Sequence, residues 1–386
     1  MRKIIFIILL ALIFIGAGYL FAIVVPNVDR DRNAVTPHDP YTVTGDVQAF
    51  HDGLFIADLH SDMLLWRRNP KKRHDRGHTD LPRLREGGVN LQVFSAVTKS
   101  PSGLNFDGND ASAPDDITKL ALVQLWPPST WNSIYERAVF QARRLQKIEH
   151  EEAHHLTIIR RANDLTQTDE RLMGLLTIEG AHPLEGKIEN IKRLHNEGYR
   201  MMGLQHFFDN ELGGSLHGRT KSGLTDFGRE AVLEMERLEI IIDVAHSSVA
   251  VVRDVLKITH RPVLISHGGV RSACPLTANR NLPDELLKDI ISRGGLIGIG
   301  YFDGVICDIT PKGIASSLMS AVALLGEDGV ALGSDFDGTV TTSLDTSELS
   351  AITQALIDLD MDKAVIKKIM GENIRRFLEE NLPKGQ

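Results

Sequence analysis

Apolar and polar positions along this chain follow two alternating rhythms. Short, nearly continuous apolar runs recur, and segments with helical spacing lie between them. Eight runs read as strands, at 54–58, 89–97, 172–178, 200–204, 240–244, 263–265, 296–299 and 330–332. Runs that are apolar on both faces suit parallel strands buried between layers. Helical spacing marks 131 to about 155, 188–197, 227–238, 249–259, 284–292 and 314–325. Thr225, with Gly228-Arg229-Glu230 after it, reads as a helix start, and Gly198 as a helix stop. The stretch 347–380 reads as two more helices packed outside. This alternation predicts a parallel α/β sheet. Eight strands favour a TIM-like (β/α)8 barrel over an open sheet, filling one domain over 49–386.

The N-terminus departs from this rhythm. Arg2 and Lys3 precede an uncharged apolar run over 4–25, long enough to span a bilayer as a helix. A cleaved signal has a shorter apolar core and a better small-residue site than 17–22 offers. Residues 1–25 are therefore expected to be an uncleaved, single-pass transmembrane signal anchor. The basic residues before it hold the N-terminus in the cytoplasm. The remainder would lie outside, in a periplasm or at the cell exterior. No cysteine follows the run to carry a lipoprotein anchor, and no apolar C-terminal tail suggests a lipid-anchor signal. Residues 26–48, rich in Pro, Asp and Thr without periodicity, read as a linker.

Composition narrows the function. The 386 residues carry a formal net charge of -8, which argues against nucleic acid as a partner. Two cysteines, Cys274 and Cys307, cannot make a disulfide framework or a Cys-rich metal site. They read as two small buried residues, with a bridge as the alternative outside the cytoplasm. The basic cluster 67–73 reads as a solvated loop, and the Pro/Asp/Ser/Gly-rich stretch 100–128 as a long βα loop of the kind that covers a barrel mouth.

The candidate chemistry lies at the strand ends. Strand one ends in His60-Ser-Asp62, and residues i and i+2 of a strand project together. Later strands end at Glu179, His206, His246, His267 and Asp335. In a (β/α)8 barrel all these ends share one mouth. One such histidine is ordinarily structural. This many buried polar groups need partners, and a metal satisfies them together. The set exceeds what one tetrahedral zinc takes. It fits a two-metal centre with a bridging carboxylate, best supplied by Glu179, and a bridging hydroxide.

The motifs resemble the membrane dipeptidase (renal dipeptidase) family of zinc metallopeptidases. The carrying motifs contain Asp58, His60 and Asp62; His78; Glu179 and His182; His206; His246; His267; Asn279, Arg280 and Asn281; Asp335 and Asp337; and Asn373, in family order over about 54–378. The resemblance implies two zinc ions per chain. His60 and Asp62 would hold one, His246 and His267 the other, and Glu179 would bridge them. It implies that His206 contacts the substrate and steadies the oxyanion, Arg280 pairs with the substrate carboxylate, and Asp335 shuttles a proton to the leaving amine. The expected substrates are dipeptides, some with a D-residue in second position. A homodimer is among the assemblies compatible with this.

Plainer readings compete at several positions. His182 is either a partner to a ligand or a core histidine, and Asp337 a loop residue rather than a ligand. Asp58 either orients a ligand or fills a strand end. His154 and His155 read as a solvated helix surface, His74 and His78 as loop caps, and Arg280 alternatively as a structural salt bridge. Two other functions stay open from sequence. One is an amidohydrolase-type enzyme on another substrate, disfavoured by His-x-Asp in place of His-x-His. The other is a tethered binding protein that has lost catalysis.

Overall fold

The computed structural model describes residues 2–166 and 171–384; Met1, Gly385 and Gln386, which the expected anchor and domain ranges include, lie outside them. Among the described residues nine parallel strands build one sheet: β1 (Ile56–Ser61), β2 (Val89–Val97), β3 (Leu156–Ile158), β4 (Leu172–Glu179), β5 (Tyr199–Gly203), β6 (Ile241–Asp243), β7 (Leu264–Gly268), β8 (Leu296–Ile299) and β9 (Val330–Leu332). Eight of them follow in the order β1-β2-β4-β5-β6-β7-β8-β9, with the short β3 added beside β4. The ends meet where Ser61 bridges Phe336 and the Asp62 N–H donates to the Phe336 carbonyl at 2.8 Å. The result is a nearly closed parallel α/β barrel of the TIM type. All eight expected strands are present, most within two residues of their expected bounds. The ninth, β3, is too short to show a period.

Packing follows the two-sided burial expected of such strands. Residues that face inward, such as Leu59, Val93, Leu175, Met201 and Leu264, fill the barrel. Outward residues such as Ile56, Phe94, Leu176 and Ile242 pack against the helices. The expected long helix from 131 is two, Ser129–Asn132 and Ile134–Glu151, divided at Ser133, whose side chain caps the second. The outermost C-terminal helices include Ser350–Asp358 and Asn373–Asn381.

The N-terminal expectations need correction. Helix α1 (Arg2–Tyr19) passes through a wider turn at Leu20–Val24 into α2 (Val25–Arg32). Among the described residues no helix is long and apolar enough to cross a membrane. The helix α1 ends at Tyr19 and spends its first two positions on Arg2 and Lys3, short of the roughly 20 apolar residues a span needs. Nor is 26–48 a free linker. It contains α2 and α3 (Gly45–Asp52). Asp29 and Asn33 are buried against the barrel, and Val35 bridges Thr342. The basic cluster is not wholly solvated either: Arg68 is buried, 2.7 Å from Asp337 and 3.2 Å from Asp29. Two carboxylates within reach offset its desolvation. Finally, Cys274 and Cys307 form a disulfide, with Cα atoms 5.4 Å apart.

Candidate metal centre

Each polar residue expected at the mouth sits there, and each is buried. Glu179, the last residue of β4, is the common neighbour. Its Oε1 lies 3.0 Å from His246 Nε2, 3.3 Å from His267 Nε2 and 3.8 Å from His60 Nε2. Its Oε2 lies 3.6 Å from His206 Nε2. His60 Nε2 is also 3.5 Å from Asp62 Oδ1 and 3.9 Å from Asp335 Oδ1. Among the described residues three overlapping groups could hold a metal ion: His60, Asp62 and Glu179; Glu179, His206 and His246; and His60, His267 and Asp335.

The donors fit a bound cation on two counts. Buried His60 Nε2 and Asp62 Oδ1 find no hydrogen-bond partner among the described residues, a costly arrangement unless something else satisfies them. His246 Nε2 and His267 Nε2 also face each other at 2.9 Å beside the same carboxylate oxygen. Burial holds both imidazoles well below their ordinary pKa, so both are neutral and able to act as ligands. Burial alone would lower His60 as well. The negative charges of Glu179, Asp62 and Asp335 reverse that and push it up to about 10. A proton on His60 and a metal ion are thus alternative answers to the same demand for positive charge.

A network unremarked in the sequence aims these rings. The Ser266 hydroxyl donates to Asp243 Oδ2 at 2.5 Å. It lies 2.9 Å from His267 Nδ1 and 3.3 Å from His60 Nδ1. With its proton committed to Asp243, the hydroxyl accepts from Nδ1–H groups, which turns each Nε2 toward Glu179. Asp243 also accepts the backbone N–H groups of Ala245 and Ser266. Its signal in the sequence was a carboxylate inside an apolar strand.

Backbone geometry sets other side chains. Gly180 takes φ +78°, and a Cβ there would press on His206. His246 and Asp335 adopt φ +61° and +62°, uncommon for residues with a Cβ. Gly338 leaves room for Asp335, since a Cβ would run into its Oδ1. The His206 Nδ1 lies 3.1 Å from the Lys99 carbonyl, which can only accept. Nε2 is then a donor only when the ring is charged.

Arg280 is buried, with Nη2 3.2 Å from His246 Nε2 and 3.3 Å from the His267 carbonyl. Among the described residues it has no carboxylate within 4 Å, so the salt-bridge reading does not hold. Asp335 is pushed well above its ordinary pKa, first by burial and further by Glu179 and Asp62, against the opposing pull of His60 and Arg280. Asp58 binds backbone: it accepts the N–H groups of His60 and Ser334 and so ties β1 to the chain after β9. Asp337 accepts the His78 backbone N–H at 2.8 Å and lies 2.7 Å from Arg68 Nη2. His182 is buried beside Phe208 and outside the ligand groups, and its Nε2 has no hydrogen-bond partner among the described residues. His154 and His155 are exposed, on a turn rather than a helix. The stretch 100–128 is not all loop, since it carries a helix at Asp116–Val123; its first part reaches the mouth, where Phe106 lies 5.8 Å from Phe207 and its carbonyl 3.3 Å from His217 Nδ1. Buried His217 had not stood out, because it follows no strand directly.

A sequence profile of the membrane dipeptidase family (peptidase family M19) matches residues 46–383. The dipeptidase aclJ of Aspergillus oryzae is 26% identical over 348 residues, covering 84% of this chain and 77% of that protein. Among solved structures, the dipeptidase AC, of peptidase family M19, is 25% identical with a TM-score of 0.69, covering 85% of this chain and 99% of its own. A metallopeptidase of Rhodobacter sphaeroides, solved with a phosphinate mimic of the dipeptide L-Ala-D-Ala, superposes with a TM-score of 0.68 at 24% identity, covering 85% and 99%.

Proposed function

This chain belongs to the membrane dipeptidase family, peptidase family M19, and from that premise we propose how its barrel mouth serves as the active site. The protein is a metallopeptidase that hydrolyses dipeptides. The observation that carries the site assignment is the convergence of three imidazole Nε2 atoms within 3.8 Å of Glu179 Oε1. In this reading His60, Asp62 and Glu179 would hold one metal ion, and His246, His267 and Glu179 would hold a second. A buried N/O donor set favours zinc. When bound, such a pair supplies Lewis acidity and lowers the pKa of water enough for hydrolysis at neutral pH.

The remaining residues bind and move protons. Arg280, a buried guanidinium with no carboxylate partner among the described residues, pairs with the free carboxylate of the dipeptide, for which its planar fork is suited. His206, whose Nδ1 is held by the Lys99 carbonyl, presents Nε2 to the developing oxyanion. Asp335, whose raised pKa keeps a proton available, delivers it to the leaving amine. A D-residue in second position is accepted, a preference supported by the L-Ala-D-Ala mimic in the Rhodobacter sphaeroides neighbour.

The N-terminal segment associates with a membrane surface through its exposed apolar side chains, and the barrel lies outside the cytoplasm. Support comes from the uncharged run 4–25 after Arg2 and Lys3, and from Ile5, Phe6, Ile7, Ile8, Leu10 and Leu12, which lie exposed instead of packing on the barrel. The Cys274–Cys307 disulfide suits an oxidising compartment.

The test is hydrolysis of a panel of dipeptides, with L or D residues in second position, by metal-loaded and chelated full-length protein. Chelator-sensitive cleavage supports the assignment; cleavage that survives complete metal removal contradicts it.

A further inference from the structure

We propose that residues 25–36 are a strap that positions the active-site loop after β9, with Asp29 and Asn33 acting on Asp335 through Arg68, His78 and Thr339. The strap lies ahead of the family match, which begins at residue 46. The proposal rests on the reading of Asp335 as the proton donor.

The loop is strained. Asp335, Asp337 and Thr339 adopt φ +62°, +65° and +66°, three alternate non-glycine residues in the left-handed region. For β-branched Thr339 this is a true outlier. Such a backbone persists only where its surroundings over-determine it. Part of that determination comes from the barrel: the Trp66 indole N–H donates to the Asp337 carbonyl at 2.7 Å.

The strap supplies the rest. Asn33 Oδ1 accepts the Thr339 N–H at 3.0 Å. The Ala34 carbonyl lies 3.2 Å from His78 Nε2, while His78 Nδ1 accepts the Asp337 N–H at 2.9 Å. These two partners fix one tautomer, and through it the strap reaches the loop backbone. Asp29 Oδ2 lies 3.2 Å from Arg68 Nε, whose Nη2 is 2.7 Å from Asp337 Oδ1. Asn33 Nδ2 donates to Asp29 Oδ1 at 2.9 Å, joining the two halves of the device. Asp29, Asn33 and Asp337 are only 3%, 1% and 0% exposed. A buried, interlocked set like this transmits a fixed geometry, which a solvated set does not. The same strap is the continuation of α1, so the apolar N-terminus is joined directly to a loop that carries a reacting group.

The experiment uses the full-length, metal-loaded chain with D29N and N33A, and D31N as an exposed control on the same helix. Metal content, kcat and KM are measured on dipeptides. The expected result is a fall of about 10-fold in kcat per metal-loaded chain for D29N and N33A, since misplacing a reacting group by a fraction of an ångström costs rate. KM and metal content should stay within about twofold, and D31N should match wild type. Unchanged kcat per loaded chain in both variants, or a rise in KM alone, overturns the proposal. Failure of the wild-type chain to cleave any dipeptide would be a failure of the Asp335 reading instead. The strap would then be read by amide hydrogen exchange over 335–339. Faster exchange in D29N and N33A upholds it, and unchanged exchange overturns it.

Discussion

His246 Nε2 and His267 Nε2 lie 2.9 Å apart, and both are within 3.3 Å of Glu179 Oε1. Two neutral rings can share one proton at that distance, but a carboxylate oxygen beside them makes a cation the better partner. Replacing either histidine with alanine should remove metal and activity together. Elemental analysis of each purified variant, beside its turnover, checks this. Full metal content in both variants would show that the ligands lie elsewhere.

Asp243 and Ser266 should matter although neither faces the substrate. Ser266→Ala removes the hydroxyl that lies between Nδ1 of His60 and Nδ1 of His267. Partners of this kind are worth about 10–100-fold in metal affinity. Competition with a chelator of known affinity should show that loss for Ser266→Ala and for Asp243→Asn. Wild-type affinity in both would leave the rings positioned by packing alone.

His206 and Asp335 each belong to a trio that could hold metal, as well as to the proposed chemistry. If they act on the substrate, His206→Asn and Asp335→Asn keep their metal and lose about 100-fold or more in kcat. Metal loss in proportion to activity would instead make them ligands.

Arg280→Met should raise KM for dipeptides by about 10–100-fold, the worth of a charge-assisted hydrogen-bonded contact. Its effect should be much smaller on a substrate whose C-terminal carboxylate is amidated. Equal losses on both substrates would make Arg280 a structural residue.

The contribution of three buried histidines to stability should fall as pH drops below about 6.5. Burial, the largest influence, holds His78, His182 and His217 below their ordinary pKa. Each is neutral when folded and gains a proton once unfolded. The unfolded state therefore binds more protons below the unfolded pKa, and stability is lost as pH falls through it. The slope is about 1.4 kcal/mol per pH unit for each such histidine. Denaturant melts between pH 7.5 and 5 should show it, with a shallower slope for His182→Gln if that variant folds.

The strand-end residues were legible because a barrel converts sequence position into spatial position. Val89–Val97 and Leu296–Ile299 could be bounded by their apolar runs alone. That same logic carried Glu179, His246 and His267 to one mouth. Contacts between distant segments carry no such periodic signal. Arg68 looked like a surface charge because Asp29 and Asp337, its partners, stand 39 residues before and 269 after it. The strap looked like a linker for the same reason: its hydrogen bonds go to Thr339 and Thr342. Asp243 and Ser266 were visible as polar residues within apolar strands, but a partner across the sheet cannot be read from one strand.

The most direct test is to titrate zinc into chelated full-length protein while following hydrolysis of L-Ala-D-Ala, with Glu179→Gln alongside. The wild-type chain should be inactive without metal and reach its plateau near two ions per chain, as expected for a bridged pair. Glu179→Gln should bind the ions more weakly and stay inactive across the range. Full wild-type turnover without metal, or an active Glu179→Gln, would contradict a centre organised around Glu179.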